Sequence, residues 1–185
     1  MYATQTKRLL DLLFACILLI LCLPVILCTM FVSAIAQRTF KVIFIQTRIG
    51  YGNRPFKIIK LRTMSNEKDG DGHLLSDEDR TPPFGTFLRR TSLDELPQLI
   101  NVIKGDMSLI GPRPFTPADC ARYGTPEQMT VRHSIRPGLT GLAQIHGRNA
   151  IDFEHRIRYD LFYVHHVSFG LDCGIFFHTA NVVLE

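Results

Sequence analysis

The hydropathy pattern is dominated by one run near the start of the chain. From residue 12 to residue 36 nothing is charged, and at about 1.5 Å per helical residue that length crosses a ~30 Å hydrocarbon core. Pro24 sits at its midpoint, where it removes the amide that would bond the Ile20 carbonyl and so favours a bend. The period then changes. Val42-Ile43-Phe44-Ile45 and Phe56-Lys57-Ile58-Ile59-Lys60-Leu61 predict two short strands joined through Gly50-Tyr51-Gly52-Asn53. Residues 66–79 are acidic and hold Gly70 and Gly72, the mark of a solvated loop. A helical pattern resumes over 84–104 and stops at Gly105-Asp106. A short strand over 107–110 follows, then Gly111-Pro112-Arg113-Pro114, whose prolines hold the arginine's backbone extended. A second proline-bracketed stretch covers 135–141, and helices are predicted around 151–166 and 171–184. The last places Leu171, Ile175, Val182 and Val183 at helix-like spacing, suited to a core or to a membrane interface.

Charge changes the reading of the apolar run. Lys7 and Arg8 precede it and Arg38, Lys41 and Arg48 follow it, so the positive-inside rule pulls both ends to the cytoplasm. A helix that enters, breaks at Pro24 and returns to the same face satisfies both ends. A straight anchor with a proline kink is the competing geometry, and charge and proline alone leave the two open. A cleaved signal peptide fits less well, because the run exceeds the usual apolar region and Ser33-Ala34-Ile35-Ala36 is the only cleavage-like site. The pattern as a whole predicts an α+β chain with a single membrane-embedded domain. Residues 1–40 are expected to form an N-terminal membrane helix, re-entrant or straight, and 41–185 to hold short β elements and C-terminal amphipathic interfacial helices.

Composition narrows the class further. With 185 residues, 46% hydrophobic and 21% charged, the chain can bury a core and is not a disordered tail. A net charge of +4 suits anionic partners such as a membrane surface, nucleic acid or phosphorylated metabolites. Over 41–62 the cations Lys41, Arg48, Arg54, Lys57, Lys60 and Arg62 meet no acid. Only Phe56 is aromatic within 54–62, which argues against a nucleic-acid-binding surface. Cys16, Cys22, Cys28, Cys120 and Cys173 are odd in number and form no CxxC pair, as in a reduced, cytosol-facing protein.

The candidate chemistry centres on Ser92-Leu93-Asp94-Glu95-Leu96-Pro97-Gln98. One reading is a capping box, with Ser92 at the N-cap and Glu95 three residues later satisfying each other's amides. Pro97 weakens it, since it lacks an amide that the helix would use. The other reading divides the labour: one carboxylate attacks phosphorus, and its neighbour holds a hard divalent cation. An aspartate among arginines at a helix start is expected to stay ionised at neutral pH. Arg89, Arg90, Arg113 and Arg136 suit bidentate phosphate recognition. His155, His165 and His166 do not match zinc spacing, and there is neither GxGxxG, Walker loop nor Ser-His arrangement.

Four segments taken together carry a resemblance. Lys60-Leu61-Arg62-Thr63-Met64, Ser92-Leu93-Asp94-Glu95-Leu96-Pro97-Gln98, the run from Lys104 through Ser108-Leu109-Ile110 to Pro114, and Arg136-Pro137-Gly138-Leu139-Thr140-Gly141 resemble, in order and over nearly the whole chain, the bacterial sugar transferase family, the monotopic phosphoglycosyl transferases. The length is similar to that of the minimal members. The resemblance implies transfer of a sugar-1-phosphate from a UDP-sugar to polyprenyl (undecaprenyl) phosphate, with release of UMP, at the cytoplasmic face of the bacterial inner membrane. It implies Asp94 as the nucleophile of a covalent intermediate and Glu95 as the Mg²⁺ ligand. By the same resemblance Lys60, Arg62, Arg89 and Arg113 bind phosphate groups, joined as a substrate-binding residue by Arg136 for its suitability to bidentate phosphate recognition; the N-terminal helix over 1–40 is re-entrant with Pro24 as its membrane hinge, and downstream glycosyltransferases are possible partners. Where relatives often place a small hydroxyl residue before the hinge proline, this chain has Leu23. A non-catalytic membrane-surface scaffold or partner subunit is the alternative, against which an intact Asp94-Glu95 pair speaks.

Overall fold

The computed structural model describes residues 2–37, 39–65, 67, 70–73, 75–147 and 151–184, and for 3, 4 and 182–184 the backbone alone. Arg38, parts of the acidic 66–79 loop, and the Val182 and Val183 side chains of the expected apolar face lie outside the described residues.

After a π-helical turn at Tyr2–Thr6, α1 runs from Lys7 to Ala36. The expected helix-break-helix is instead one helical run through Pro24. Proline's own φ is helical, so its cost is a lost amide and a push on the preceding turn rather than a non-helical residue. Lys7, Asp11, Ala15, Leu18, Cys22, Ile26, Thr29, Ser33 and Gln37 recur at spacings of three and four and are buried or half-buried, while Leu9, Ile20, Leu21, Leu27, Phe31 and Ile35 are exposed. The polarity of the helix is inverted relative to a soluble surface helix: the polar and small side chains face the protein and the large apolar ones face outward. By length and composition α1 is able to cross a membrane.

Both ends of α1 are fastened to the same body. Lys7 Nζ donates to Asp172 at 2.7 Å, Arg8 donates to the carbonyls of Val102 and Ile103 at 2.7 and 3.1 Å, and Asp11 accepts from Ser108 Oγ and the Leu109 amide at 2.7 and 3.1 Å. At the far end Gln37 Nε2 donates to the Arg62 carbonyl at 2.8 Å.

Strands β1 (Ile43–Ile49) and β2 (Pro55–Leu61) form the expected antiparallel hairpin, in register from Ile43↔Leu61 to Ile49↔Pro55. Gly52 and Asn53 take left-handed φ values of 63° and 60° in the turn, a conformation that glycine and asparagine tolerate. The single helix expected over 84–104 is three pieces: α2 (Pro83–Arg90), a 3-10 helix (Leu93–Gln98) and α3 (Leu99–Lys104). Ser92, at φ 56°, turns the chain between the first two, and Pro97 withholds an amide in the second. Then come β3 (Ser108–Ile110), α4 (Pro117–Arg122), α5 (Pro126–Arg132), β4 (Gly138–Thr140), α6 (Leu142–Ile145), α7 (Phe153–His165) and α8 (Phe169–Leu184). β4 pairs in parallel with β3 and so joins the two proline-bracketed stretches. A Cβ on Gly138 would run into the Gly111 backbone, so the pairing needs glycine there.

The core has three parts. Ala15, Ile58, Leu99, Val102 and Met107 pack α1, β2 and α3 together; Ile110, Leu142, Tyr163 and Ile175 join β3 to the C-terminal helices; Phe115, Met129 and Ile157 fill the space under α4, α5 and α7. Arg132 and Asp160 form a buried ion pair at 2.7 Å, with the guanidinium 3.6 Å over the Phe115 ring. The five cysteines are unpaired.

Candidate active site

Asp94 and Glu95 lie on the 3-10 helix, not in the first turn of an α-helix. The capping-box reading is therefore replaced: Ser92 makes no side-chain cap, and the Glu95 carboxylate turns to Lys60 and Arg113 instead of back to the Ser92 amide. Successive side chains on a 3-10 helix diverge by about 120°. The two carboxylates thus start from one backbone turn and point apart.

Glu95 Oε1 accepts from Lys60 Nζ at 2.6 Å and from Arg113 Nη2 at 3.0 Å. Each cation is delivered by a separately braced element. Lys60 stands on β2, whose edge is held by the wholly buried Asn101 of α3: its Oδ1 accepts from the Ile59 amide at 3.1 Å and its Nδ2 donates to the Lys57 carbonyl at 2.8 Å. Arg113 stands in an extended segment whose successive carbonyls are all bonded. Pro112 O accepts from the Gly138 amide at 2.9 Å, Arg113 O from buried Arg132, and Pro114 O from Arg48 at 3.1 Å. The Arg132–Asp160 pair therefore supports the site from beneath.

The electrostatics divide the pair. Burial would push Glu95 up, but Arg113 and Lys60 hold its carboxyl down at about 2. Asp94, mostly buried and beside the charged Glu95, is pushed up to about 6 in spite of Lys60 and Arg113. The sequence alone suggested a plainly ionised aspartate; the structure gives one that is still predominantly ionised at pH 7 but titrates near neutrality. Burial lowers Lys60, and Glu95 raises Arg113.

The structure brings Lys60 and Arg113 onto Glu95, and Asp94 is the residue before it on the same 3-10 helix. Arg62 and Arg89 belong to the neighbouring end of β2: Arg89 Nε donates to Thr63 Oγ1 at 3.0 Å, and Arg62 Nε is buried without a partner. Arg136 turns elsewhere, donating to the Gly105 carbonyl at 2.9 Å with its guanidinium 5.6 Å from the Tyr51 ring centre. Three contributors escaped sequence reasoning as site residues. Asn101 is an amide inside the otherwise apolar Leu99-Ile100-Asn101-Val102-Ile103, a readable signal. Arg48 reads in the sequence only as one cation of the basic 41–62 run that flanks the apolar stretch, and Gln98, 2% exposed, carries no signal beyond its place in the Asp94 motif.

A family model described as Bacterial sugar transferase matches residues 2–185. This chain belongs to the bacterial sugar transferase family. It is 44% identical over 96% of its length to an uncharacterized sugar transferase, EpsL, of Bacillus subtilis (strain 168), covering 87% of that protein. It is 40% identical to proteins named UDP-glucose:undecaprenyl-phosphate glucose-1-phosphate transferase from Caulobacter vibrioides and Klebsiella pneumoniae, of which it covers 69% and 39%. The Lys60, Asp94-Glu95 and Arg113 segments converge from three parts of the chain: β2, the 3-10 helix and the extended segment after β3. Among the described residues no three His, Cys, Asp or Glu side chains gather into a metal cage. The donor set still suits Mg²⁺, which binds through one or two carboxylates plus substrate phosphates and keeps several waters. Glu95 is held ionised and commits Oε1 to two cations, so its other oxygen is the one suited to a metal.

Proposed function

We propose that this family member is a phosphoglycosyl transferase that moves a sugar-1-phosphate from a UDP-sugar to undecaprenyl phosphate through an aspartyl intermediate on Asp94. The observation that carries the reading is the divided carboxylate pair: Asp94 buried and titrating near neutrality, Glu95 locked as an anion between Lys60 and Arg113. An Asp94 oxygen attacks the phosphorus bonded to the sugar, and the bond from that phosphorus to the bridging oxygen breaks. UMP leaves with the electron pair. An oxygen of undecaprenyl phosphate then attacks the same phosphorus, and the Asp94 carboxylate departs unchanged. Arg113 and Lys60 bind the phosphate oxygens as charge shifts among them, and Arg62 and Arg89 extend the positive surface to the rest of the diphosphate. A Mg²⁺ on Glu95 would neutralise the diphosphate and favour departure of UMP. The product, a polyprenyl diphosphate sugar, is a substrate for downstream glycosyltransferases. The relatives' printed names support the donor and acceptor classes. The test is a screen of UDP-sugars for UMP release in membranes with and without undecaprenyl phosphate. Release with at least one sugar supports the reading; none across the screen leaves the scaffold alternative.

The same proposal places the chain in the inner membrane by a re-entrant α1, with the remainder on the cytoplasmic face. The outward apolar surface of α1 favours lipid contact. Its two ends, bonded to Asp172 and α3 on one side and to Arg62 on the other, belong to one body, and a straight span would leave them on opposite sides of the bilayer. The bend is assigned to Pro24, where an amide is missing. A cysteine replacing the exposed Gln5 is expected to stay unreactive to a membrane-impermeant maleimide in intact cells with a permeabilised outer membrane, and to react after lysis. Labelling in intact cells would sink the re-entrant geometry.

A further inference from the structure

Arg136 leaves the Asp94 region for a place where other cations already stand. Its Nε donates to the Gly105 carbonyl at 2.9 Å, and its guanidinium lies 5.6 Å from the centre of the Tyr51 ring. Arg8 comes to the same residue from α1: a Cβ on Gly105 would lie 3.3 Å from Arg8 Nη2. Lys104, the residue before Gly105, is exposed. Cations from α1, α3 and the loop before β4 thus gather around one glycine. The acids next to Arg8 and Gly105 in sequence are engaged elsewhere, Asp11 by Ser108 Oγ and the Leu109 amide and Asp106 by Asn101 Nδ2 at 3.3 Å. Among the described residues no carboxylate forms an ion pair with Arg8, Lys104 or Arg136.

Capping the end of α3 does not require all three. Arg8 alone takes the carbonyls of Val102 and Ile103, and the amides of Gly105, Asp106 and Met107 close onto Asn101. Arg136 spends only Nε on Gly105, and among the described residues its two Nη groups make no hydrogen bond. The surroundings are apolar and outward. Leu9, Leu13, Phe14 and Ile17 are exposed along α1 from Arg8 onward, and exposed Ile100 stands one turn before Lys104 on α3. Cations at the border of an outward apolar surface, with the half-exposed Tyr51 beside them, have the composition of a membrane–water boundary.

We propose that Arg8, Lys104 and Arg136 form a seat for the headgroup phosphate of an anionic bilayer phospholipid, whose acyl chains follow the apolar face of α1. The proposal rests on the membrane placement of α1 and not on the chemistry at Asp94. Charge selects the headgroup, because a cluster of cations without a carboxylate favours a net anion over a zwitterion. The planar fork of Arg136 suits two phosphate oxygens. Position separates this lipid from the reacting phosphates. Gly105 follows the C-terminal end of α3, Asp94 lies in the 3-10 helix that enters its other end, and the six residues between span about 9 Å.

The test uses nanodiscs of equal phosphatidylglycerol and phosphatidylcholine with matched acyl chains, and native mass spectrometry counts the lipids that stay on the protein when the disc is stripped away. Wild type is expected to retain one phosphatidylglycerol in preference to phosphatidylcholine, and to retain less when loaded at high salt. Arg136→Gln removes the charge while its Nε2 replaces the donor to Gly105, and it should lower retention about fivefold. Lys104→Gln should lower it in the same direction. Lys41→Gln, which removes an exposed cation at the other end of α1, should retain the lipid as wild type does. No preference in wild type, unchanged retention in Arg136→Gln and Lys104→Gln, or an equal loss in Lys41→Gln would overturn the seat. Displacement of the retained lipid by one equivalent of undecaprenyl phosphate would also overturn it, by giving the site to the acceptor. Should Arg136→Gln fail to fold, Lys104→Gln still reads the seat. Failure of wild type to float with phosphatidylcholine vesicles would overturn the membrane placement of α1, and the seat with it.

Discussion

Asp94→Asn is expected to abolish both the covalent adduct and turnover while leaving the protein folded, and more stable than wild type near neutral pH. With UDP-sugar and Mg²⁺ but no polyprenyl phosphate, the wild type should release up to one UMP per enzyme. Its Asp94 peptide should gain the mass of one sugar phosphate, as an acid-labile acyl phosphate. The amide has the shape but not the anion, so neither signal should survive. An adduct that persists in Asp94→Asn, or sequential kinetics in a wild type that forms none under rapid quench, would falsify the double displacement. The stability gain follows from linkage. Asp94 is raised from 3.8 to about 6 in the folded chain, so the native state binds its proton more tightly than the unfolded state does. The stabilisation from the neutral form is full below 3.8 and is lost as pH rises through about 6. At pH 7 the buried charge is a cost that asparagine removes, on the order of 3 kcal/mol at about 1.4 kcal/mol per pKa unit. The same titration gives the wild-type half-reaction a tenfold fall in rate for each pH unit below about 6, readable as UMP release by rapid quench.

Arg113→Lys should cost roughly tenfold to a hundredfold in kcat/KM with the fold intact. Arg113 already donates to Glu95 at 3.0 Å through Nη2, and its planar fork has further N–H groups in fixed directions for a phosphate. An ammonium on a flexible stem cannot hold both partners in that geometry. A charged hydrogen bond is worth about 1.5–3 kcal/mol, which sets the size of the loss if the contact acts in the transition state. The backbone should not respond, because the carbonyls of Pro112, Arg113 and Pro114 remain bonded to Gly138, Arg132 and Arg48. Glu95→Gln should fail differently. Glu95 is lowered from 4.5 to about 2, so its contribution to stability is present above 4.5 and lost as pH falls through about 2; removing the anion at pH 7 leaves Lys60 and Arg113 to repel each other. Reduced melting temperature and partial rescue of rate by Mg²⁺ are the expected signs. Kinetics for Arg113→Lys equal to wild type would place the guanidinium outside the reacting phosphate.

The sequence by itself determined the elements that follow from period and punctuation. The long apolar run is α1, the strands on either side of Gly50 to Asn53 are the hairpin β1–β2, and the helices expected around 151–166 and 171–184 are α7 and α8. The motif segments also determined which side chains to examine, and Lys60, Asp94, Glu95 and Arg113 do meet. Local signals sufficed because hydrophobic period and proline or glycine act within a few residues of themselves. The tertiary structure decided the rest. Whether Ser92 caps a helix or turns the chain depends on where the Glu95 carboxylate finds cations, and those come from positions 60 and 113. Asp94 titrates near neutrality because the fold buries it beside an ionised neighbour, against the attraction of the same two cations. Arg136, by sequence as good a phosphate ligand as Arg113, is drawn to the Gly105 carbonyl by the path of the loop before β4. The parallel β3–β4 pairing and the Arg132–Asp160 brace join residues distant in the chain, and so are set by packing and desolvation rather than by any neighbouring residue.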